Sequence, residues 1–247
     1  MGSLIIPYQY AARFNADILA ARDGTNVAKY RGEEYWVLKW EKVSKSTLQA
    51  YKNTVDAVLK FKFKHTMSLL TDMEINCLAV NTTDRPMHVI GKGDRETAYE
   101  IEMYTLLGVC VAKRFPDKIF DVCIDGKFFR KKLDELQAIS NHGAHQHHHR
   151  IKWPFRKFRT SKPKWSLPLQ VIDIFIGALH YKLNGYYDAP NASSAKKELH
   201  DYIWKAMGLR DPLKVLPRRT SKLMDWMHRP GPKDYKTHPF QNDGYQE

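Results

Sequence analysis

One acidic residue, Asp173, interrupts one of the most apolar segments of the chain, Leu169 to Leu179. At helical spacing, Ile172 and Ile176 lie on the same side as Asp173, so the pattern predicts a carboxylate along the apolar face of a helix. Burying an unpaired carboxylate is costly enough that a protein normally supplies a partner, a proton or a metal ion. Asp173 is therefore a candidate metal ligand. The alternative is an acid near the start of a helix that is favoured by the helix dipole and bonded to a neighbouring side chain.

A second acidic residue, Asp125, closes a segment with the pattern of a strand. The alternation within Ile119 to Asp125 predicts a strand that Asp125-Gly126 ends. Other chemistries have less support, because Ser161 and Ser166 lack a local nucleophile motif and the chain has no Gly-rich phosphate loop. Acyl transfer and hydrolysis of nucleoside triphosphates therefore rank low.

Histidines concentrate in one stretch that we expect to be a loop, and they are His142, His145, His147, His148 and His149. Imidazole nitrogens bind transition metals, but this spacing matches no defined zinc pattern. Two interpretations remain, a dedicated metal site and a flexible loop that binds metal adventitiously, and the composition favours the second.

The charge balance is strongly basic, with 40 Lys and Arg against 27 Asp and Glu and a net charge of +13. Such a surplus attracts polyphosphates, and any such binding falls with salt. Nucleic acid is the expected partner. The cations that we expect to hold its phosphates are Arg150, Lys152, Arg156, Lys157, Arg159, Lys162 and Lys164.

Aromatic residues are interleaved with these cations at Trp153, Phe155, Phe158 and Trp165. Exposed rings would stack on bases, as in proteins that bind single strands. A strand that turns Trp153 and Phe155 inward would give the same pattern, so both interpretations stay open.

Strand and helix patterns alternate along the chain, which predicts an α/β fold with a mixed sheet flanked by helices. Strands are expected over 4–7, 35–39, 64–71 and 119–125, and helices over 8–21, 48–59, 94–114, 128–139, 167–183 and 192–207. We expect one domain over 1–207 and a basic, Pro-rich tail over 208–247, anchored by Leu223, Trp226 and Met227. No apolar run reaches about 18 residues, so we expect no membrane insertion and a cytoplasmic protein.

Three segments of the chain resemble the family called domain of unknown function 3800. They are Val37-Leu38-Lys39-Trp40-Glu41-Lys42-Val43-Ser44, Val122-Cys123-Ile124-Asp125, and Ser166 to Ala178 with its L-Q-x-x-D-x-x-x-G-A pattern. The resemblance covers most of residues 4 to 207. It implies an RNase H-like fold in which acidic residues from a strand and a helix hold Mg²⁺ or Mn²⁺ for phosphodiester cleavage. Carried over by position, Asp125 and Asp173 are the metal ligands and catalytic acids. The resemblance further implies a nuclease, in a family of which several members are associated with prokaryotic defence against phage.

The chain departs from that family's pattern in two places. Members commonly open with a strand carrying Asp-Glu-Ser-Gly, and this sequence begins at the strand that should follow it. Val37 stands where members commonly carry a metal-binding Glu, for which Glu33, Glu34 or Glu41 would have to substitute. We therefore expect either an incomplete gene product or a protein partner or second copy that covers the exposed sheet edge. The alternative function is a degenerate family member that binds nucleic acid or protein without cutting.

Overall fold

The computed structural model describes residues 1–24, 36–61, 74–80, 95–126, 133–146, 149–208 and 223–228. The helices in these ranges are α1 Ala11–Asp23, α2 Leu48–Lys60, α3 Arg95–Tyr104, α4 Leu133–Gln146, α5 Leu167–Leu183 and α6 Ser194–Ala206. The strands are β1 Gly2–Ile5, β2 Glu74–Val80, β3 Phe120–Asp125, β4 Phe155–Ser161 and β5 Leu223–His228. After α3 the chain continues through a π-helical segment, Thr105–Val111, into Ala112–Arg114.

The described strands form two separate sheets. In the first, of order β1-β2-β5, β1 runs antiparallel to β2 with Gly2 opposite Cys77, and β5 runs parallel to β2 with Leu223 opposite Ile75. The second sheet is the parallel pair β3 and β4. The predicted mixture of helices and strands is confirmed, but no five-stranded RNase H-like sheet is present within the described ranges.

A register shift near the start of the β3 and β4 pair changes which residues of β4 are buried. Phe120 lies opposite Phe155, whereas the next residue of β3, Asp121, lies opposite Lys157. The extra residue, Arg156, forms a β-bulge, which interrupts the two-residue alternation of a strand. As a result Phe155 and Phe158, three positions apart, are both buried.

Each sheet packs against its own hydrophobic core. The larger core combines α1, α2, α5 and α6 with β2, and its central side chains include Phe14, Tyr51, Val55, Ile174 and Leu199. Apolar residues of α2 recur at helical spacing, which is why that helix buries one side. The smaller core, around Ile124, Leu136, Ala144, Phe155 and Phe158, joins α4 to β3 and β4.

Several sequence-predicted elements agree with the structure within a few residues. The helix predicted over 167–183 has those bounds, the one over 192–207 is Ser194–Ala206, and the strand over 119–125 is Phe120–Asp125. The predicted helix over 94–114 is present as α3 and its π-helical continuation. Within the tail, β5 contains the three predicted anchor residues, and the strand predicted over 64–71 lies outside the described residues.

Two local predictions were wrong. Residues 36–39 of the strand predicted over 35–39 pair with no strand in the described structure, because side chains rather than a neighbouring strand bind their backbone. The histidine-rich stretch is not entirely a loop, because α4 continues to Gln146 and includes His142 and His145. Among the described helices, none combines the length and the apolar character needed to cross a membrane.

Candidate functional site

Helix α5 uses two different faces, and Asp173 lies on the more polar one. Ile172 and Ile176 lie against Gly2 of β1. The other face carries Gln170, Asp173 and Gly177, which are three and four residues apart and therefore neighbours on the helix surface. The expectation that Asp173 shares the apolar face with Ile172 and Ile176 is therefore wrong. Its face instead binds the segment Leu38 to Trp40.

Two side chains of α5 accept hydrogen bonds from the backbone of that segment. The N–H of Leu38 donates to Oε1 of Gln170 at 3.0 Å, and the N–H of Trp40 donates to Oδ2 of Asp173 at 2.8 Å. Gln170 also donates through Nε2 to the carbonyl oxygen of Pro163 at 2.9 Å. The partner that Asp173 was expected to need is thus a backbone amide, not a neighbouring side chain.

Tyr51 of α2 binds the residue between these two contacts. Its hydroxyl donates to the carbonyl oxygen of Lys39 at 2.6 Å and accepts from the N–H of Lys39 at 3.0 Å. Three consecutive backbone N–H groups, at positions 38, 39 and 40, therefore have side-chain acceptors. Buried backbone groups require such partners, and here they replace the pairing of a sheet.

Gly177 gives the ring of Trp40 room to lie against α5. A Cβ atom at Gly177 would overlap Cβ and Cγ of Trp40. One helical turn further along, the ring of Tyr181 lies beside the indole with centroids 5.6 Å apart. Gln170, Asp173 and Gly177 of the L-Q-x-x-D-x-x-x-G pattern therefore act together as a binding face for Leu38-Lys39-Trp40.

The Asp173 carboxylate is exposed at the surface and yet surrounded by enough protein to change its acidity. Burial raises the pKa of Asp173 above its ordinary value, and the charges of Glu41 and Asp125 raise it further. The hydrogen bond from Trp40 and the charge of Lys39 lower the pKa and only partly offset these effects. Asp173 therefore lies within electrostatic reach of two other acids.

Asp125 is the last residue of β3, opposite Ser161 of β4, as predicted for a strand end. Its charge acts on Asp173 and also on Tyr99 of α3. Burial, together with the charge of Asp125, raises the pKa of Tyr99 to about 12. Asp125 thus interacts electrostatically with Asp173 and with Tyr99, and we call these three residues, from a strand and two helices, the acid neighbourhood.

The acids in this neighbourhood fit a metal ion only in a limited way. No group of three or more His, Cys, Asp or Glu side chains suited to a metal ion occurs in the part of the chain that the structure describes. Two carboxylates do suit one Mg²⁺ that keeps several waters and takes phosphate oxygens of a substrate as further ligands. Glu41 is exposed and lies 3.5 Å from Nζ of Lys39, whereas Glu33 and Glu34 lie outside the described residues.

Strand β4 and its flanks present their cations to solvent. All seven cations predicted to hold phosphates are exposed, namely Arg150, Lys152, Arg156, Lys157, Arg159, Lys162 and Lys164. Of the interleaved aromatic residues, Phe155 and Phe158 are buried, whereas Trp153 is 52% and Trp165 63% exposed. Neither sequence-based interpretation is right for all the rings, because the phenylalanines pack inward and the tryptophans do not.

Amide side chains of α4 bind the backbone at the start of β4. Asn141 accepts from the N–H of Phe155 at 2.9 Å and donates to its carbonyl oxygen at 3.0 Å, and Gln137 donates to the same oxygen at 2.9 Å. Gln137 also donates to the carbonyl oxygen of Arg156 at 3.0 Å. These bonds attach the cationic strand to the smaller core.

The described histidines of the predicted metal-binding stretch do not converge on a metal. His149 is buried, its Nδ1 accepts from the N–H of Ile151 at 3.1 Å, and its Nε2 lies 2.9 Å from the carbonyl oxygen of Phe115. Nε2 of His142 lies 2.9 Å from Nε2 of Gln146. His149 is therefore bound within the fold, and His147 and His148 lie outside the described residues.

Sequence reasoning missed the roles of Gln170 and Gly177 on the binding face of α5 and the interaction of Tyr99 with Asp125. A glutamine and a glycine inside an otherwise apolar helix were the available signal, because a polar amide needs partners and a helical glycine costs stability unless a close contact requires it. Nothing in the local sequence of Tyr99 indicates its proximity to Asp125.

Comparisons with protein-family models, curated proteins and solved structures found no match for the chain.

Proposed function

We propose that this chain is a nuclease-type domain of RNase H-like descent that cleaves phosphodiester bonds with the help of Mg²⁺ or Mn²⁺. Asp125 and Asp173 would hold the metal, and the cations on and around β4 would hold the phosphates of DNA or RNA. The observation that carries the proposal is the placement of the two acids: Asp125 ends β3 beside the cationic strand β4, and it lies close enough to Asp173 of α5 for its charge to raise the pKa of Asp173.

The hydrogen bond from Trp40 does not by itself account for the acidity of Asp173. A nearby cation or a hydrogen bond to the carboxylate lowers its pKa, whereas burial and neighbouring acids raise it. At Asp173, burial and two neighbouring acids outweigh Lys39 and the Trp40 amide, so the pKa is raised. Perturbed acids of this kind are concentrated at functional sites. A divalent cation would relieve the repulsion between Asp125 and Asp173.

The acids, the Trp40 amide and the cations of β4 would have separate roles in the reaction. When bound, the metal ion would activate water and stabilise the leaving oxygen. The amide of Trp40 holds Oδ2 of Asp173, which fixes the orientation of the carboxylate and leaves Oδ1 to face another ligand. Arg156, Lys157 and Arg159 are exposed on β4, whose last residues lie beside Asp125, so they would hold the backbone of the substrate near the acids.

The test is cleavage of end-labelled single-stranded and double-stranded DNA and RNA with Mg²⁺, with Mn²⁺ and with a chelator. We expect metal-dependent cutting that is lost in Asp173→Asn and in Asp125→Asn. Asn keeps an oxygen that can accept from Trp40, so loss of activity without loss of folding would isolate the charge. Cutting that survives Asp173→Asn would refute the assignment.

A catalytically degenerate relative that binds nucleic acid or protein without cutting is the second candidate. Asp173 already has a structural task in binding Trp40, and Val37 cannot ligate a metal where the resembling family commonly has Glu. Robust metal-dependent turnover by the purified chain would eliminate this candidate. A role in prokaryotic defence against phage rests on the family resemblance, and protection of cells from phage that is lost in Asp173→Asn would support it.

A further inference from the structure

Two exposed tryptophans flank the cationic strand β4. Trp153 precedes the strand by two residues and is 52% exposed, and Trp165 ends the short helical turn Pro163–Trp165 and is 63% exposed. An exposed indole offers a flat face on which a nucleic-acid base can stack. Nζ of Lys164 lies 4.6 Å from the centre of the Trp165 ring, so a cation accompanies this indole.

The cations of the strand lie between these two rings in the sequence. Seven strand residues at about 3.3 Å each span roughly 20 Å, and Arg156, Lys157 and Arg159 are exposed along this length. Asp121 lies opposite Lys157 in the register, whereas the two arginines have no acid opposite them in that pairing. The strand and its flanks therefore combine exposed cations with an exposed ring on either side of them in the sequence.

The exposed cations alone would bind the phosphates of any nucleic acid. The exposed indoles favour nucleic acids whose base faces are accessible. In a duplex the faces of the bases are stacked on one another, whereas a single strand can place its bases on protein rings. Proteins that bind single strands combine a positively charged track with such rings. The buried phenylalanines cannot contribute, so Trp153 and Trp165 are the rings of β4 and its flanks that a base can reach.

We propose that β4 and its flanks bind single-stranded nucleic acid, with Trp153 and Trp165 stacking on bases and the exposed cations contacting phosphates. This inference rests on the proposed function, which makes nucleic acid the partner, and it narrows that partner to single-stranded nucleic acid. It does not depend on cleavage, since binding at β4 requires neither Asp125 nor Asp173.

The experiment measures binding of a fluorescent oligothymidylate of about 16 nucleotides, the upper end of the usual site size, and of a duplex of equal length. All measurements are made in the presence of a chelator, so that cleavage cannot contribute. The variants are Trp153→Leu, Trp165→Leu and the double variant, with Tyr8→Leu as the control because Tyr8 is also an exposed ring and lies outside β4 and its flanks. Circular dichroism verifies that each variant is folded.

We expect each tryptophan substitution to weaken oligothymidylate binding by roughly 5- to 150-fold, and duplex binding and the Tyr8→Leu control to change by less than about twofold. Unchanged oligothymidylate binding in the double variant would overturn the proposal, and so would an equal loss for single strand and duplex. Binding that depends on both tryptophans while no nucleic acid is ever cut would retain this inference and reject the nuclease.

Discussion

The polar groups of α5 bind other parts of the fold, whereas those of β4 are exposed to solvent. On α5, Gln170 and Asp173 accept hydrogen bonds from the backbone of a distant segment, so their polarity is used within the fold. On β4, Arg156 and Arg159 are exposed, and the strand is held instead by its buried phenylalanines and by amides of α4. Substitutions on the binding face of α5 should therefore change stability, whereas those on β4 should change binding.

The largest expected effect is that of Gln170→Ala. Gln170 and Leu38 are 1% and 0% exposed, so the substitution leaves the N–H of Leu38 buried without its acceptor and removes a bond to Pro163. Burying an unsatisfied donor costs about 1–3 kcal/mol, so with the second lost bond we expect the free energy of unfolding to fall by about 3 kcal/mol. Urea denaturation measures it, and Gln49→Ala, at an exposed glutamine of α2, is the matched control that should change it by less than about 0.5 kcal/mol.

The next effect is that of Gly177→Ala. Overlap of the new Cβ with the root of the Trp40 side chain should cost about 3 kcal/mol, and the higher helix propensity of Ala offsets about 1 kcal/mol. We expect a net loss of about 2 kcal/mol in thermal or urea unfolding. In a double-mutant cycle with Trp40→Gly, which also removes the Cβ of Trp40 that Gly177→Ala would overlap, the loss should largely disappear; a loss of the same size without the Trp40 side chain would show that the contact is not its cause.

Two substitutions of Asp173 should change the free energy of unfolding differently. Asp173→Ala removes the acceptor of the Trp40 N–H, so we expect the free energy of unfolding to fall by about 1 kcal/mol. Asp173→Asn retains an acceptor and removes a charge whose pKa is raised in the folded state. An acid with a raised folded pKa binds its proton more tightly when folded, so stability falls as pH rises from the ordinary value of 3.8 through the raised one.

Above that window Asp173→Asn should therefore be at least as stable as the wild-type chain, and any advantage should shrink as pH is lowered to about 3 or below, where the wild-type acid is protonated. Urea denaturation at neutral and at acidic pH measures both. A clear destabilisation by Asn at neutral pH would show that the carboxylate is a structural acid, which would favour the degenerate relative.

The smallest effect on stability is expected on β4. Arg156→Gln together with Arg159→Gln should leave the free energy of unfolding within about 0.5 kcal/mol, because both side chains are exposed. Affinity for a single strand should fall, and the slope of log affinity against log salt should become shallower by about 1.4, as for two lost phosphate contacts. An unchanged salt slope would show that these arginines do not contact phosphates.

The sequence predicted elements well where apolar spacing alone determines them. The bounds of α5 follow from its apolar run, whereas Trp36-Val37-Leu38 is a short apolar run that predicts a strand. That run correctly indicated burial, since Trp36 and Leu38 are both buried. It could not indicate the backbone partners, because Tyr51, Gln170 and Asp173 come from distant parts of the chain. The β-bulge at Arg156 likewise depends on pairing that local sequence does not specify.

The candidate site was predicted in part. Asp173 was recognised by its unusual position in an apolar helix and Asp125 by its place at a strand end, and the resemblance joined them. Tyr99 and the binding face for Leu38 to Trp40 were not foreseen, because they depend on how helices pack. The roles of Asp125 and Asp173 in metal binding and of the β4 cations in phosphate binding stay predictions.

The claim that Asp125 and Asp173 share one site is tested most directly by the pKa of the Asp173 carboxyl group. Carbon-13 NMR of labelled aspartate can follow its titration in the wild-type chain and in Asp125→Asn. The charge of Asp125 raises the pKa of Asp173, so we predict that the pKa falls when that charge is removed. An identical pKa in both chains would contradict a shared site and with it the proposed metal centre.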